Sequence, residues 1–311
     1  MVRILLIVTG LILLLVQQYI GLIPAKTQFI IFLVGIIGLG VPHGAADLLV
    51  ANQKASMEAK PFSKVKFLVT YISRLVLFAL ILWFFPLVGN LIFIVFAAYH
   101  FGETDLYKFQ TDTIVGKLFI ISYGLLILGV ILLHHFQDVM PLFQQFESGI
   151  KHASFINWLN TYRYSILSFL GVFFFASTFF YFSTINNQYL KGDFLLQLAL
   201  LLFILYHLPM LIGFTFYFIV WHSVLSLQKI VSYLRQDKLL TSSVIIKQIC
   251  FYSFLAMSGI SMFGLAGFMF INTDTIVIYI FLGLAVLTAP HMQIMHDMYR
   301  SIRSNQVFMS N

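Results

Sequence analysis

Apolar residues run through this chain in blocks of about 18 to 22, separated by short polar breaks. A block of that length crosses a ~30 Å hydrocarbon core as an α-helix, whereas the strands of a membrane barrel alternate over about 10 residues. The pattern predicts spans at 4–23, 29–50, 67–85, 91–107, 114–133, 164–182, 194–211, 212–231, 247–270 and 276–299. The expected fold is all-α, a polytopic membrane helical bundle of about ten transmembrane helices (range 8–10). Residues 1–311 are read as a single integral membrane domain.

Breaks between spans carry turn chemistry. FFPLVGN, with Pro86, Gly89 and Asn90, divides the third span from the fourth. The stretch from 194 to 231 is too long for one crossing, and Pro209 with Gly213 marks where it turns back. Only Arg3 precedes the first apolar block, as in a signal peptide, but no small-residue cleavage site follows and PAKTQ leads directly into the next block. The block is therefore counted as a span. The longest loop, 134–163, mixes aromatic and polar residues and is expected to include an interfacial amphipathic helix, with His134, His135 and His152 solvated or facing headgroups.

Composition sharpens this picture. With 60% hydrophobic and 9% charged residues, the chain cannot bury its apolar surface in a water-soluble globule. The net charge of +7 comes from basic residues scattered between spans, which argues against a nucleic-acid footprint. Of the 18 lysines and arginines, all but Lys26, Lys151 and Arg163 fall on one side of the ten-span arrangement. By the positive-inside bias that side is cytoplasmic, which puts the chain in the cell (inner) membrane as a multi-pass protein with both termini in the cytoplasm. The single cysteine, Cys250, excludes an intramolecular disulfide and is expected to be a small buried hydrophobe.

Four histidines interrupt the apolar sequence, each beside small or aromatic residues: VPHGAAD with His43, YHFGETD with His100, VWHSV with His222 and APHM with His291. They belong to the second, fourth, eighth and tenth spans, which run in the same direction, and each lies seven to nine residues from the cytoplasmic end. At ~1.5 Å rise per residue that is a common depth of roughly 10 to 14 Å. One buried histidine is commonly satisfied by a hydrogen bond to a neighbouring helix. Four at one depth point instead to a shared metal site, because polar groups inside a membrane are expensive and face the bundle interior. Imidazole nitrogens suit iron, copper, zinc or nickel rather than magnesium or calcium.

Neutral ligands call for carboxylates that accept the second ring N–H. Asp47, Glu103 and Asp105 are the candidates; for Asp105, a polar helix end facing the cytoplasm is an equal alternative. Gly44, Ala45, Ala46 and Gly102 would let helices close around a compact centre, and Pro42 and Pro290 would loosen the backbone just before a histidine. His296 is an alternative fourth ligand to His291, and His207 is expected to be structural.

GVPHGAAD, HFGETD, WHS and PHM, in that order from about residue 35 to 298, resemble the Brp/Blh family of membrane-embedded β-carotene 15,15′-dioxygenases. The resemblance implies oxygen-dependent cleavage of the central double bond of β-carotene to two molecules of all-trans-retinal, at a non-haem Fe(2+) centre held by histidines. It carries His43, His100 and His222 over directly. Some members of the family have a second histidine one turn after the WH pair, where this chain has Ser226, so the fourth ligand falls to His291. The implied partners are β-carotene, O2 and the lipid bilayer, with a functional link to a rhodopsin. The 35 Phe and 15 Tyr could line a path for a long hydrocarbon. Tyr99, Phe101, Phe218 and Trp221 are the candidates nearest the metal. No acid, base or nucleophile stands out. The alternatives are a bis-histidine haem protein of electron transfer and a non-catalytic carotenoid-binding or transport protein. A membrane di-iron oxygenase would need clustered HxxxH or HxxHH motifs, which the chain does not contain.

Overall fold

Where the sequence places long apolar blocks, the computed structural model places helices. It describes residues 1–21, 23–144, 153–184, 191–236, 241–268 and 276–310, and among these there is no strand. The helical stretches are α1 (Val2–Tyr19), α2 (Ala25–Met57), α3 (Lys64–Phe84), α4 (Pro86–Asp105), α5 (Ile114–His134), α6 (Phe136–Gln144), α7 (Ala153–Thr184), α8 (Lys191–His207), α9 (Met210–Leu234), α10 (Ser242–Phe268) and α11 (Ile276–Ser310). Among the described residues, eight helices are long and apolar enough to cross a membrane, and α8 is an apolar helix of shorter length. The protein is an all-α polytopic membrane bundle.

Local chemistry sets the helix starts. Ser63 caps α3 by accepting the Lys66 N–H at 3.3 Å, and Thr113 caps α5 by accepting the Gly116 N–H at 3.1 Å. Pro86 opens α4 and Pro209 precedes α9, positions where the missing N–H costs nothing. Among the described residues three stretches are wound as π-helix: Ile36–Gly40 within α2, Val130–His134 at the end of α5, and Thr215–His222 within α9.

Contacts group the chain into two compact units. The first comprises Met1–Ile36 and Ala97–Leu225, the second Ile37–Phe96 and Ser226–Asn311. In the first unit, α4 and α5 meet backbone to backbone: a Cβ on Gly102 would lie 2.1 Å from the Ile120 carbonyl oxygen, and one on Gly124 would lie 1.8 Å from that of Ala98. Only glycine allows that approach. The core beside it is aromatic, with Phe119 stacked on Tyr181 at 4.6 Å and Phe109 and Phe194 edge-on. In the second unit, Phe78 and Leu82 of α3 pack on Ala285 of α11, and Lys54 pairs with Asp297 at 3.0 Å.

Three expectations are corrected. The long loop is shorter than predicted, because α7 begins at Ala153 rather than near 164. Before it lies α6, with Phe136 and Val139 buried and Gln137 and Asp138 exposed, while His152 and Lys151 lie outside the described residues. His134 and His135 are half-buried rather than solvated: His134 stacks on Tyr206 at 3.8 Å, and His135 Nε2 is 3.3 Å from the Leu205 carbonyl. Cys250 is exposed on α10, beside the exposed Phe251 and Phe254. On a lipid-facing side the bilayer supplies the apolar surroundings that buried packing supplies elsewhere.

Candidate metal centre

In the second unit two histidines are brought into contact from distant parts of the chain. His43 follows the π-helical stretch Ile36–Gly40 and Pro42, and His291 follows Pro290 in α11; both are buried. Their Nε2 atoms are 2.7 Å apart and the rings meet edge to face at 79°. His291 Nδ1 lies 2.7 Å from Asp47 Oδ1, and Asp47 Oδ2 accepts the Tyr71 hydroxyl at 3.1 Å. A proton on Nδ1, donated to Asp47, leaves the Nε2 lone pair of a neutral His291 directed at His43. That is the carboxylate–histidine arrangement which fixes the tautomer and raises the basicity of a metal-binding nitrogen. Asp47 therefore serves His291, two hundred and forty-four positions away in sequence, rather than its neighbour His43.

The first unit holds the other two histidines. His100 of α4 and His222 of α9 have ring centroids 4.7 Å apart at 72°. Phe101 meets His222 edge-on at 4.8 Å, and Phe218, one turn before it, lies parallel to it at 6.1 Å. The four histidines are each no more than 5% exposed. Imidazoles in this number suit a borderline transition metal, so the donor chemistry fits iron as it fits copper, zinc or nickel.

The remaining candidates are distributed as follows. Glu103 is buried and Tyr99 half-buried. Asp105 is neither an exposed helix end nor placed on a histidine: it accepts the Tyr123 hydroxyl at 2.8 Å, the Tyr217 hydroxyl at 3.2 Å and the Trp221 indole N–H at 3.1 Å, while its backbone carbonyl accepts from Arg3. Trp221 thus has its polar edge on Asp105. His296 is half-buried and lies five residues past His291, about 140° round the helix. His207 is exposed, with Nδ1 2.9 Å from the Phe203 carbonyl. Ser226 is buried, its hydroxyl 3.4 Å from that of Tyr299. A Cβ at Gly44 would meet nothing within 4 Å, so this glycine does not serve a close helix approach as expected.

Sequence reasoning missed Tyr71, Tyr123 and Tyr217. Their signal was a phenol inside an apolar span, since a buried tyrosine needs a partner for its hydroxyl.

A family model described as Beta-carotene 15,15'-dioxygenase matches residues 34–299, a stretch that includes all four histidines. Comparison with curated proteins finds no match, nor does comparison with solved structures.

Proposed function

Because the chain belongs to the beta-carotene 15,15'-dioxygenase family, we propose that it is a membrane-embedded non-haem iron(II) dioxygenase that cleaves β-carotene at its central double bond. The C15–C15′ double bond and the O–O bond break, and each alkene carbon leaves with one oxygen atom as an aldehyde. Two molecules of all-trans-retinal account for every atom of β-carotene and O2. Bound iron(II) supplies the activation of O2 that a polyene cannot achieve unaided.

The chain's own residues hold and shield. His43, His100, His222 and His291 are the proposed ligands, and Asp47 orients His291 by accepting its Nδ1–H. Phe101 and Phe218 surround His222 with apolar surface and would keep water from the reacting carbons. The 40-carbon substrate partitions into hydrocarbon, which matches a protein built of apolar helices. Retinal is the chromophore of rhodopsins, so a rhodopsin is the proposed recipient of the product.

The observation that carries this reading is the buried His43–His291–Asp47 array, with ring nitrogens 2.7 Å apart, inside a chain of this family. The test is expression in a bacterial host that accumulates β-carotene, with extracts chromatographed for retinal beside a His43→Ala control. Retinal from the wild type and none from the control is expected. Intact β-carotene in both, with the protein verified in the membrane, would overturn the assignment. An absorption spectrum without a Soret band is expected and separates the iron site from a bis-histidine haem.

A further inference from the structure

Asp105 has an environment that the proposed chemistry does not use. It is 2% exposed, at the end of α4, with donors on both carboxylate oxygens drawn from two other helices: Tyr123 of α5, and Tyr217 and Trp221 of α9. Arg3 of α1 donates to its backbone carbonyl, where a cation also complements the negative end of the α4 dipole. Four helices of the first unit therefore meet at one residue.

Two of those donors lie on the π-helical stretch Thr215–His222. A π-helical segment is unusual and is found mostly as a single wide turn at functional positions. Its wide turn changes the direction in which the following residue points. Here that residue is His222, preceded immediately by Trp221 and five positions earlier by Tyr217. On α4, Asp105 lies five residues after His100. One carboxylate thus ties the helix bearing His100 to the wide turn bearing His222.

We propose that Asp105 is a positioning residue: acting through Trp221 and Tyr217, it holds the π-helical turn of α9 in register with α4 and so sets the relative placement of His222 and His100. This rests on the reading of those histidines as metal ligands and adds to it the element that fixes them. Burial strengthens these three hydrogen bonds relative to a surface network, so they can hold the turn more firmly than exposed contacts would. Phe101 lies against both Tyr217, at 5.2 Å, and His222, so a shift of the turn also moves the apolar wall beside the histidine.

The experiment uses the full-length protein in detergent or nanodiscs and compares wild type with Asp105→Asn, Trp221→Phe, Tyr123→Phe and His222→Ala. Fe(II) affinity is measured by titration, and the ligand field is read from the visible absorption of the Co(II)-loaded protein. Residues that orient metal-binding side chains typically change metal affinity about 10- to 100-fold. Asp105→Asn and Trp221→Phe are expected to weaken Fe(II) binding by about that factor and to shift the Co(II) bands. Tyr123→Phe, which keeps the ring and its packing, is expected to give a smaller shift of the same kind. It keeps the test decisive where the Asp105 variant does not fold. Wild-type affinity and an unchanged Co(II) spectrum in Trp221→Phe and Tyr123→Phe, with metal lost in His222→Ala, would overturn the clamp and leave the metal centre standing. Failure of the wild type itself to bind Fe(II) or Co(II) would overturn the metal reading, and the clamp with it.

Discussion

At the scale of single residues, the histidines were legible because an imidazole inside an apolar block is conspicuous, while which partner each would take was not. Asp47 was visible as a candidate, yet its link to His291 spans most of the chain and depends on how α2 and α11 pack. Asp47→Ala is expected to lower Fe(II) affinity about 10- to 100-fold, read by metal titration, because His291 would lose the acceptor that orders its ring. His291→Ala is expected to abolish binding, whereas His296→Ala is expected to retain it, since the two residues face different sides of α11. Metal content of the two purified variants separates them. The exposed carboxyl of Glu58 is held below the ordinary carboxylate range first by the hydrogen bond from Lys60, at 2.7 Å, and then by the charges of Lys60 and Lys54. Because its folded value is the lower one, any stabilisation is present above the unfolded value and fades as pH falls through the folded one. The pair is exposed and screened, so Lys60→Ala is expected to leave the thermal midpoint nearly unchanged at neutral pH, as a melting curve would check.

At the scale of elements, hydropathy placed the helices well because the bilayer thickness imposes a length on them. It misjudged the start of α7, which falls in mixed sequence where that constraint does not act, and the end of the seventh span, where α8 stops at His207 before Pro209 although the apolar sequence continues. It could not reveal the π-helical turns before His43 and at His222, which differ from α-helix by one residue of winding and leave no compositional mark. Glycines show the same limit. Gly102, Gly124 and Gly44 look alike in sequence, but only the first two lie against a neighbouring backbone. Gly124→Ala is expected to destabilise the protein by about 1 to 3 kcal/mol, since its methyl group would meet the Ala98 carbonyl and force α4 from α5. Gly44→Ala is expected to be neutral or to stabilise by about 0.5 to 1 kcal/mol, as a helical glycine with open space around its Cα. Denaturant unfolding in detergent measures both, and opposite signs are the outcome sought.

At the scale of the whole molecule, the distribution of lysines and arginines predicts an orientation that the helices alone do not. Reporter fusions at the two ends are expected to read cytoplasmic for both, because all but three basic residues fall on one side of the span arrangement. An even number of crossings is required for that result, so the same experiment tests the span count. By itself the sequence determined the class of the protein: its apolar blocks are long enough to require helices, its composition requires lipid, and its four histidine motifs mark the family. Hydrophobic length and residue type are local properties, readable wherever they occur. Only the tertiary structure decided that Asp47 serves His291 rather than its neighbour His43, that Trp221 and two tyrosines converge on Asp105, and that Gly124 rather than Gly44 marks a close helix approach. These are relations between residues up to two hundred and forty-four positions apart, fixed by how helices rotate and pack against one another. That rotation is set by side chains meeting across helix faces, which no single stretch of the chain encodes.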